Sequence, residues 1–161
     1  MQLPHLKKKY LKYANYQGQT IEDIFTEEEL EGTIKKEVYE LATSIAINNG
    51  DGTFTLKELP KAAQLSPTYG LLVEDVDKDG QLDILLGGNL YGVKPEVGRY
   101  DANYGLWLKG NGDGTFEEVL TKDSGFATMG QVRDIEKIKV GDKELILVAK
   151  NNEQLQVFEV Q

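Results

Sequence analysis

The sequence contains no cysteine, which excludes disulfide bridges and zinc sites built from thiolates. It contains a single histidine, His5, so a Ser-His-Asp set would depend on that one residue. Apolar runs are short, and none approaches the length that a membrane-spanning helix needs. Catalysis is therefore not indicated, no catalytic residue is assigned, and membrane insertion is not expected.

Positive charge is also scarce, because 18 Lys and Arg stand against 27 Asp and Glu, for a net charge of −9. An acidic chain without a basic stripe is not expected to bind nucleic acid. The one basic cluster, Lys7 to Lys9, is predicted to form the solvated face of a helix. The first residues do not resemble a signal peptide, so any export signal is expected outside this chain.

What the chain does have is a dense run of carboxylates at 75–83, Asp-Val-Asp-Lys-Asp-Gly-Gln-Leu-Asp. Carboxylates this close repel one another unless a cation neutralises them, and their spacing is that of a calcium loop. The predicted ligands are Asp75, Asp77, Asp79, the backbone carbonyl of Gln81, and Asp83. Leu86 occupies the last ligand position of an EF-hand and cannot bind a cation, so the loop is not a complete EF-hand. The alternative is a solvated acidic turn without an ion.

Short apolar runs bounded by glycine-rich turns predict that most of the chain is β-structure. The sequence Asn-Gly-Asp-Gly-Thr-Phe occurs at 49–54 and again at 111–116, a separation of 111 − 49 = 62 residues. Each copy is predicted to form a tight hairpin, although Asp51 or Asp113 could hold a weaker ion. A repeat of this length, built from several short strands, is typical of β-propeller blades.

These patterns predict an N-terminal helical segment, residues 1–32, followed by a partial β-propeller over residues 33–161. A helix from Pro4 towards Gly18 and capping boxes at Thr20 and Thr26 support the first segment. The propeller is predicted to be incomplete, with about two and a half blades of four-stranded antiparallel sheets. Its parts are a half blade at 33–60 (strands 38–48 and 53–59), a complete blade with the calcium loop at 68–121 (strands 69–76, 82–88, 104–109 and 115–120), and a degenerate blade at 126–161, where a Gly141-Asp142 hairpin replaces the acidic loop.

The acidic loop with Ile-Leu-Leu-Gly-Gly-Asn after it, and the later Gly-Asn-Gly-Asp-Gly-Thr-Phe, resemble an FG-GAP/VCBS repeat. A closer likeness, which covers nearly all of the chain, is to the C-terminal part of ASPIC/UnbV-type proteins. It includes the helical segment from Leu3 to Glu31, residues 93–101 and residues 147–152. The resemblance implies a calcium-stabilised propeller, secreted or surface-attached in bacteria, with the five loop ligands carried over. Because the chain is shorter than such propellers, we expect a fragment whose open sheet edges could self-associate.

Residues 89–103 are the longest predicted loop, and functional residues concentrate on loops carried by rigid scaffolds. This loop is therefore the candidate recognition surface for a protein or glycan ligand. Its candidate contact residues are Asn89, Tyr91, Glu96, Arg99, Tyr100 and Asp101. The alternative is that Arg99 pairs with Glu96 or Asp101 and only holds the loop in place.

Three functions follow from these patterns. The first is a non-catalytic propeller segment that binds or scaffolds in an extracellular bacterial protein. The second is part of a polysaccharide-acting enzyme whose catalytic residues lie mostly outside this segment. The third is an EF-hand calcium sensor, which Leu86 and the β-strands on either side of the loop disfavour. Tyr104 and Trp107, on a predicted strand, are expected in the core.

Overall fold

The structure is a computed structural model and describes residues 4–160. It is mainly β, with three antiparallel sheets and a few short helices. The chain divides into two compact units, Met1–Glu40 and Leu41–Gln161. Among the residues described, no helix combines the length and apolar character that crossing a membrane requires.

The N-terminal unit contains short helices: α1 (Pro4–Lys9), a 3-10 turn (Tyr13–Asn15), α2 (Ile21–Ile24) and α3 (Glu27–Leu30). Both predicted capping boxes form, with Thr20 bonded to Asp23 and Thr26 to Glu29. The helix predicted to run towards Gly18 ends at Lys9 instead. Tyrosine and asparagine are weak helix formers, and the Tyr10 hydroxyl donates to Gln19 across the bend at 2.8 Å.

The described part of the second unit contains nine strands in three sheets. The first sheet pairs β1 (Ser44–Asn48) with β2 (Phe54–Glu58). The second sheet runs in chain order through β3 (Thr68–Glu74), β4 (Asp83–Gly88), β5 (Leu106–Gly110) and β6 (Phe116–Val119). The third contains β7 (Val132–Val140), β8 (Lys143–Lys150) and β9 (Gln156–Glu159). A 3-10 turn (Lys61–Gln64) and α4 (Thr121–Ser124) lie between the sheets in sequence.

The first strand is shorter than predicted, because β1 begins at Ser44 rather than at residue 38. Its pairing with β2 ends where Ser44 faces Glu58, after which the Leu59 N–H still donates to the Thr43 carbonyl. The chain then turns at Pro60 into the 3-10 helix Lys61–Gln64 and leaves the ladder. The Gln64 side-chain amide bonds to the N–H and the carbonyl of Thr43 at 2.7 and 2.9 Å. Residues 38–41 lie outside the strands and are exposed.

Within the residues that the structure describes, the three sheets of the second unit pack against one another in chain order and do not close into a ring. One apolar cluster joins the first and second sheets, and another joins the second and third. Every residue of β4 is buried, which explains its continuous apolar run. Trp107 packs on the second cluster as expected, whereas Tyr104 is 55% exposed and its predicted place in the core was wrong. The apolar members of the clusters are Leu59, Ala63, Ile84, Leu86, Leu106 and Leu108 in the first, and Leu85, Phe126, Val132, Ile135, Ile146 and Val148 in the second.

Candidate metal centre

The acidic loop connects β3 to β4 and brings three carboxylates together. Oxygen atoms of Asp75, Asp77 and Asp83 lie within 4.8 Å of one another. The loop turns back sharply at Lys78 and Gly80, whose φ angles are 62° and 88°. Glycine adopts positive φ without steric cost, which explains its place in the middle of the loop. The spacing of the aspartates along the sequence therefore becomes a cluster in space.

The backbone of the loop holds two of these carboxylates in position. The Asp79 N–H donates to Asp75 Oδ1 at 3.0 Å and to Asp77 Oδ1 at 3.2 Å. The Gly80 N–H donates to Asp75 Oδ2 at 3.0 Å. Aspartate side chains commonly bond to amides a few residues further along the chain, and these bonds stabilise the turn. The loop is thus shaped by its own aspartates.

Asp83 differs from the other carboxylates because its side chain is fully buried, with 0% exposure. Asp83 Oδ2 accepts the Val76 N–H at 3.1 Å, and Oδ1 accepts the Gly110 N–H at 2.9 Å. A buried carboxylate is costly unless it is hydrogen-bonded, and here each oxygen has a backbone donor. Asp83 therefore ties the loop, β4 and the end of β5 together.

Lys109 on β5 supplies a positive charge at the same loop. Its Nζ lies 2.9 Å from Asp79 Oδ2 and also bonds to Asp77. The bond from Lys109, followed by the amide of Gln81, lowers the pKa of Asp79. Bonds to Asp77 and then to Asp79 raise the pKa of Lys109 above its usual value. The ammonium therefore neutralises part of the negative charge of the loop.

Lys109 is not among the residues predicted from the sequence, although the repeat carries a signal for it. A shift of 62 residues aligns Lys109 with Ile47, since 109 − 62 = 47. Lys109 thus stands where the first copy of the repeat has an apolar residue. It lies on β5, in the second copy, and only that copy follows the acidic loop.

Of the five predicted ligands, the structure gathers three carboxylates, those of Asp75, Asp77 and Asp83. Asp79 lies against Lys109, and Gln81 is exposed with its N–H donating to Asp79 Oδ1 at 2.9 Å. The clustered carboxylates can hold a metal ion. A donor set made only of carboxylate oxygens suits hard divalent cations such as calcium, magnesium and manganese.

The two repeated hairpin turns share one hydrogen-bond pattern. Asp51 Oδ1 accepts the N–H and hydroxyl of Thr53 at 2.9 and 2.6 Å. Asp113 Oδ1 accepts the same two groups of Thr115 at 2.9 and 2.5 Å. In each turn the hydroxyl bond, followed by the amide bond, lowers the pKa of the aspartate. Each turn joins two paired antiparallel strands, so the hairpin prediction is confirmed.

Asn89, the first residue of the predicted recognition loop, lies inside the fold and is only 2% exposed. Its amide nitrogen donates to the carbonyls of Asn103 and Gly130 at 2.7 and 3.0 Å. Its amide oxygen accepts the Ser66 hydroxyl at 2.8 Å and the Asn103 N–H at 3.0 Å. Both donors and both acceptor positions of the amide are therefore used within the protein.

The other five candidate contact residues are exposed or half-buried. Leu90 and Tyr100 form an isolated antiparallel bridge that closes the base of the loop. Within residues 4–160, Arg99 forms no ion pair with Glu96 or Asp101. Its guanidinium lies 4.9 Å from the centre of the Tyr91 ring instead, a favourable cation–π contact.

Comparisons of the chain with protein-family models, with curated proteins and with solved structures found no match. The likeness to FG-GAP/VCBS repeats therefore rests on the sequence motifs of this chain alone.

Replacing Lys109 with methionine is expected to lower the melting temperature in EDTA and to tighten the binding of a divalent cation. The ammonium and a metal ion would compete for Asp77, so its removal exposes the full negative charge of the loop. We expect on the order of tenfold tighter calcium binding by isothermal titration calorimetry. Lys150→Met is the matched control, because within the described residues Lys150 pairs with Glu153 beside the β8–β9 turn and with no residue of the acidic loop. Unchanged calcium affinity in Lys109→Met would show that Lys109 does not compete.

Proposed function

We propose that this chain is a calcium-stabilised propeller segment of the FG-GAP/VCBS kind, with a non-catalytic role in binding or scaffolding. We place it in an extracellular or cell-surface bacterial protein. The observation that carries the proposal is the position of the acidic loop. It joins two neighbouring strands of a four-stranded sheet, and its buried Asp83 also bonds to the next strand at Gly110.

A calcium ion at this loop would supply the positive charge that offsets the mutual repulsion of the carboxylates. Asp75, Asp77 and Asp83 would hold it, and we propose Asp79 and the Gln81 carbonyl as further ligands from the same loop. Lys109 would then release Asp77 and Asp79. Because these residues lie between β3, β4 and β5, the role of the site is structural rather than catalytic.

The propeller part of the proposal is supported by how the sheets are built. The second sheet has four antiparallel strands in chain order, and adjacent sheets bury apolar faces against each other. The repeated Asn-Gly-Asp-Gly turn occupies the same place in the first and second sheets, between their last two strands. Face-to-face packing of sheets in sequence order is what propeller blades require.

The surface proposed for recognition is the exposed part of residues 89–103. It presents the Arg99–Tyr91 stack together with Tyr100, Glu96 and Asp101. Aromatic and charged groups on a loop with a closed base suit a protein or glycan ligand. Asn89 is not part of this surface, because its amide is committed inside the fold.

Calcium is expected to raise the melting temperature, and EDTA is expected to reverse the effect. With a Kd of about 10 μM and free calcium of about 1 mM, linkage gives about 2.7 kcal/mol, or about 8 °C for a chain of this size. Differential scanning calorimetry with calcium, magnesium or EDTA measures the shift and ranks the two ions. Asp75→Asn should abolish the response, and Asp142→Asn, in the β7–β8 turn, should keep it. Identical melting curves with calcium and with EDTA would exclude a stabilising ion.

A further inference from the structure

The face of the second sheet that packs on the first sheet is covered only in part. On β4, Ile84 and Leu86 are 6% and 2% exposed. Their directly paired neighbours on β3, Val73 and Leu71, are 47% and 58% exposed. Directly paired residues of antiparallel strands lie on the same face of a sheet. The first sheet therefore covers β4 but not β3, and the apolar side chains of Leu71 and Val73 remain exposed to solvent.

The third sheet shows what covers this position when the packing is complete. Both β3 and β7 begin with a one-residue register shift, after which Leu71 pairs with Leu86 and Ile135 pairs with Val148. Ile135 thus corresponds to Leu71, yet it is only 1% exposed because β3 packs against β7. By comparison with Ile135, which β3 covers, the element that would cover Leu71 is another β-strand.

The first sheet has two strands, whereas the second has four, and the difference lies on the side that corresponds to β3 and β4. The 62-residue repeat aligns β1 and β2 with β5 and β6, and β5 is followed in its sheet by β4 and β3. In the described part of the chain, β1 pairs only with β2, so its other edge is open. Two additional strands on that edge would match the second sheet and would extend over β3.

The open edge also has identifiable hydrogen-bond donors. Thr43 accepts the Leu59 N–H and Asn49 donates to the Thr53 carbonyl, so the odd-numbered residues of this segment bond to β2. Antiparallel ladders alternate between bonded and outward-facing residues. The N–H of Ala46 therefore points to the open edge.

We propose that the open edge of β1 together with Leu71 and Val73 of β3, here called the β1–β3 notch, binds an antiparallel β-hairpin from a partner polypeptide. The hairpin adds two strands to β1 through main-chain hydrogen bonds. Apolar residues at alternate positions of the hairpin cover Leu71 and Val73, continuing the apolar contact that Ile45 of β1 makes with the cluster on β4 and β5. The notch involves neither the acidic loop nor residues 89–103, so this inference stands apart from the proposed function.

The β7–β8 segment of this chain, residues 131–150, is a suitable probe. It forms an antiparallel hairpin with a two-residue turn at Gly141 and Asp142, and it lacks the acidic loop. A fluorescently labelled synthetic peptide of this sequence is titrated with the full chain, and anisotropy reports binding. We expect saturable binding to the wild-type chain.

Variants of the full chain locate the binding site of the peptide. Leu71→Lys and Val73→Lys are each expected to weaken binding by at least about tenfold, because a charge would have to be buried. Ala46→Pro should also weaken it, since proline removes the outward N–H and is tolerated on an edge strand. Val157→Lys, at an apolar residue of the third sheet that is 50% exposed, is the matched control and should bind normally. Circular dichroism confirms that each variant is folded.

The peptide failing to bind the wild-type chain would overturn the proposal. Unchanged binding of the peptide to Leu71→Lys, Val73→Lys and Ala46→Pro would also overturn it. Analytical ultracentrifugation of the chain alone tests whether a second copy of the chain occupies the notch instead. Self-association that Leu71→Lys abolishes would assign the notch to a second copy and would also overturn the proposal.

Discussion

Replacing Asp83 with alanine is expected to lower the free energy of unfolding by about 3 kcal/mol, even when calcium is chelated. The fully buried carboxylate accepts the N–H groups of Val76 and Gly110. Without it both amides lose their acceptor, and each unsatisfied buried group costs about 1–3 kcal/mol. Asp83→Asn keeps one acceptor oxygen but turns an NH₂ group towards the other amide, so we expect an intermediate loss of about 2 kcal/mol. Urea denaturation in EDTA measures the series.

Asp77→Asn is the comparison that separates the structural role of Asp83 from ion binding. Asp77 lies at the surface of the loop and bonds to Lys109 and to the Asp79 amide. In EDTA this variant should lose less stability than Asp83→Ala. In calcium both variants should lose the stabilisation that the ion gives. Wild-type stability of Asp83→Ala in EDTA would contradict the structural role.

Local patterns in the sequence were enough to predict where most strands lie. The two Asn-Gly-Asp-Gly turns fix the hairpins β1–β2 and β5–β6, and the apolar run Ile84 to Leu86 marks β4. The error at the start of β1 has a non-local cause. Tyr39 and Leu41 alternate with polar residues as a strand would, but β2 does not extend alongside them because the chain turns into a 3-10 helix after Pro60.

The candidate metal centre could be predicted only as far as the loop itself reaches. Asp75 and Asp77 approach each other because they are two residues apart on a turn, so their spacing was informative. The contacts from β5 were not visible in this way. Gly110 bonds to Asp83 across 27 residues and Lys109 reaches Asp77 across 32. Their positions depend on the pairing of β4 with β5, which no local pattern in the sequence specifies.

The loop at 89–103 shows why a polar residue in a predicted loop need not be exposed. Asparagine is common in turns, and Asn89 has a φ of 81°, a conformation that asparagine tolerates better than most residues. The same residue must also satisfy polar groups from segments that are distant in sequence. Gly130, whose carbonyl it binds, is 41 residues away. Its burial is a consequence of tertiary packing.

Replacing Asn89 with alanine is expected to lower the free energy of unfolding by about 4 kcal/mol. The amide makes four hydrogen bonds to Ser66, Asn103 and Gly130, and alanine leaves these buried partners unsatisfied. Alanine also pays a conformational penalty of about 1 kcal/mol at positive φ. Asn89→Gly removes the amide without that penalty, so it should lose about 3 kcal/mol. Chemical denaturation monitored by Trp107 fluorescence measures both variants.

Asn152 provides the matched control, because it also has positive φ, 58°, but is exposed in the β8–β9 turn. Asn152→Ala carries the conformational penalty alone, so we expect a loss of about 1 kcal/mol. The difference between the two alanine variants then measures what the buried amide contributes. A loss of similar size at both positions would mean that Asn89 acts only through its backbone conformation. A larger loss at Asn89 would identify its amide as the group that fastens residues 66, 103 and 130 together beneath the proposed recognition loop.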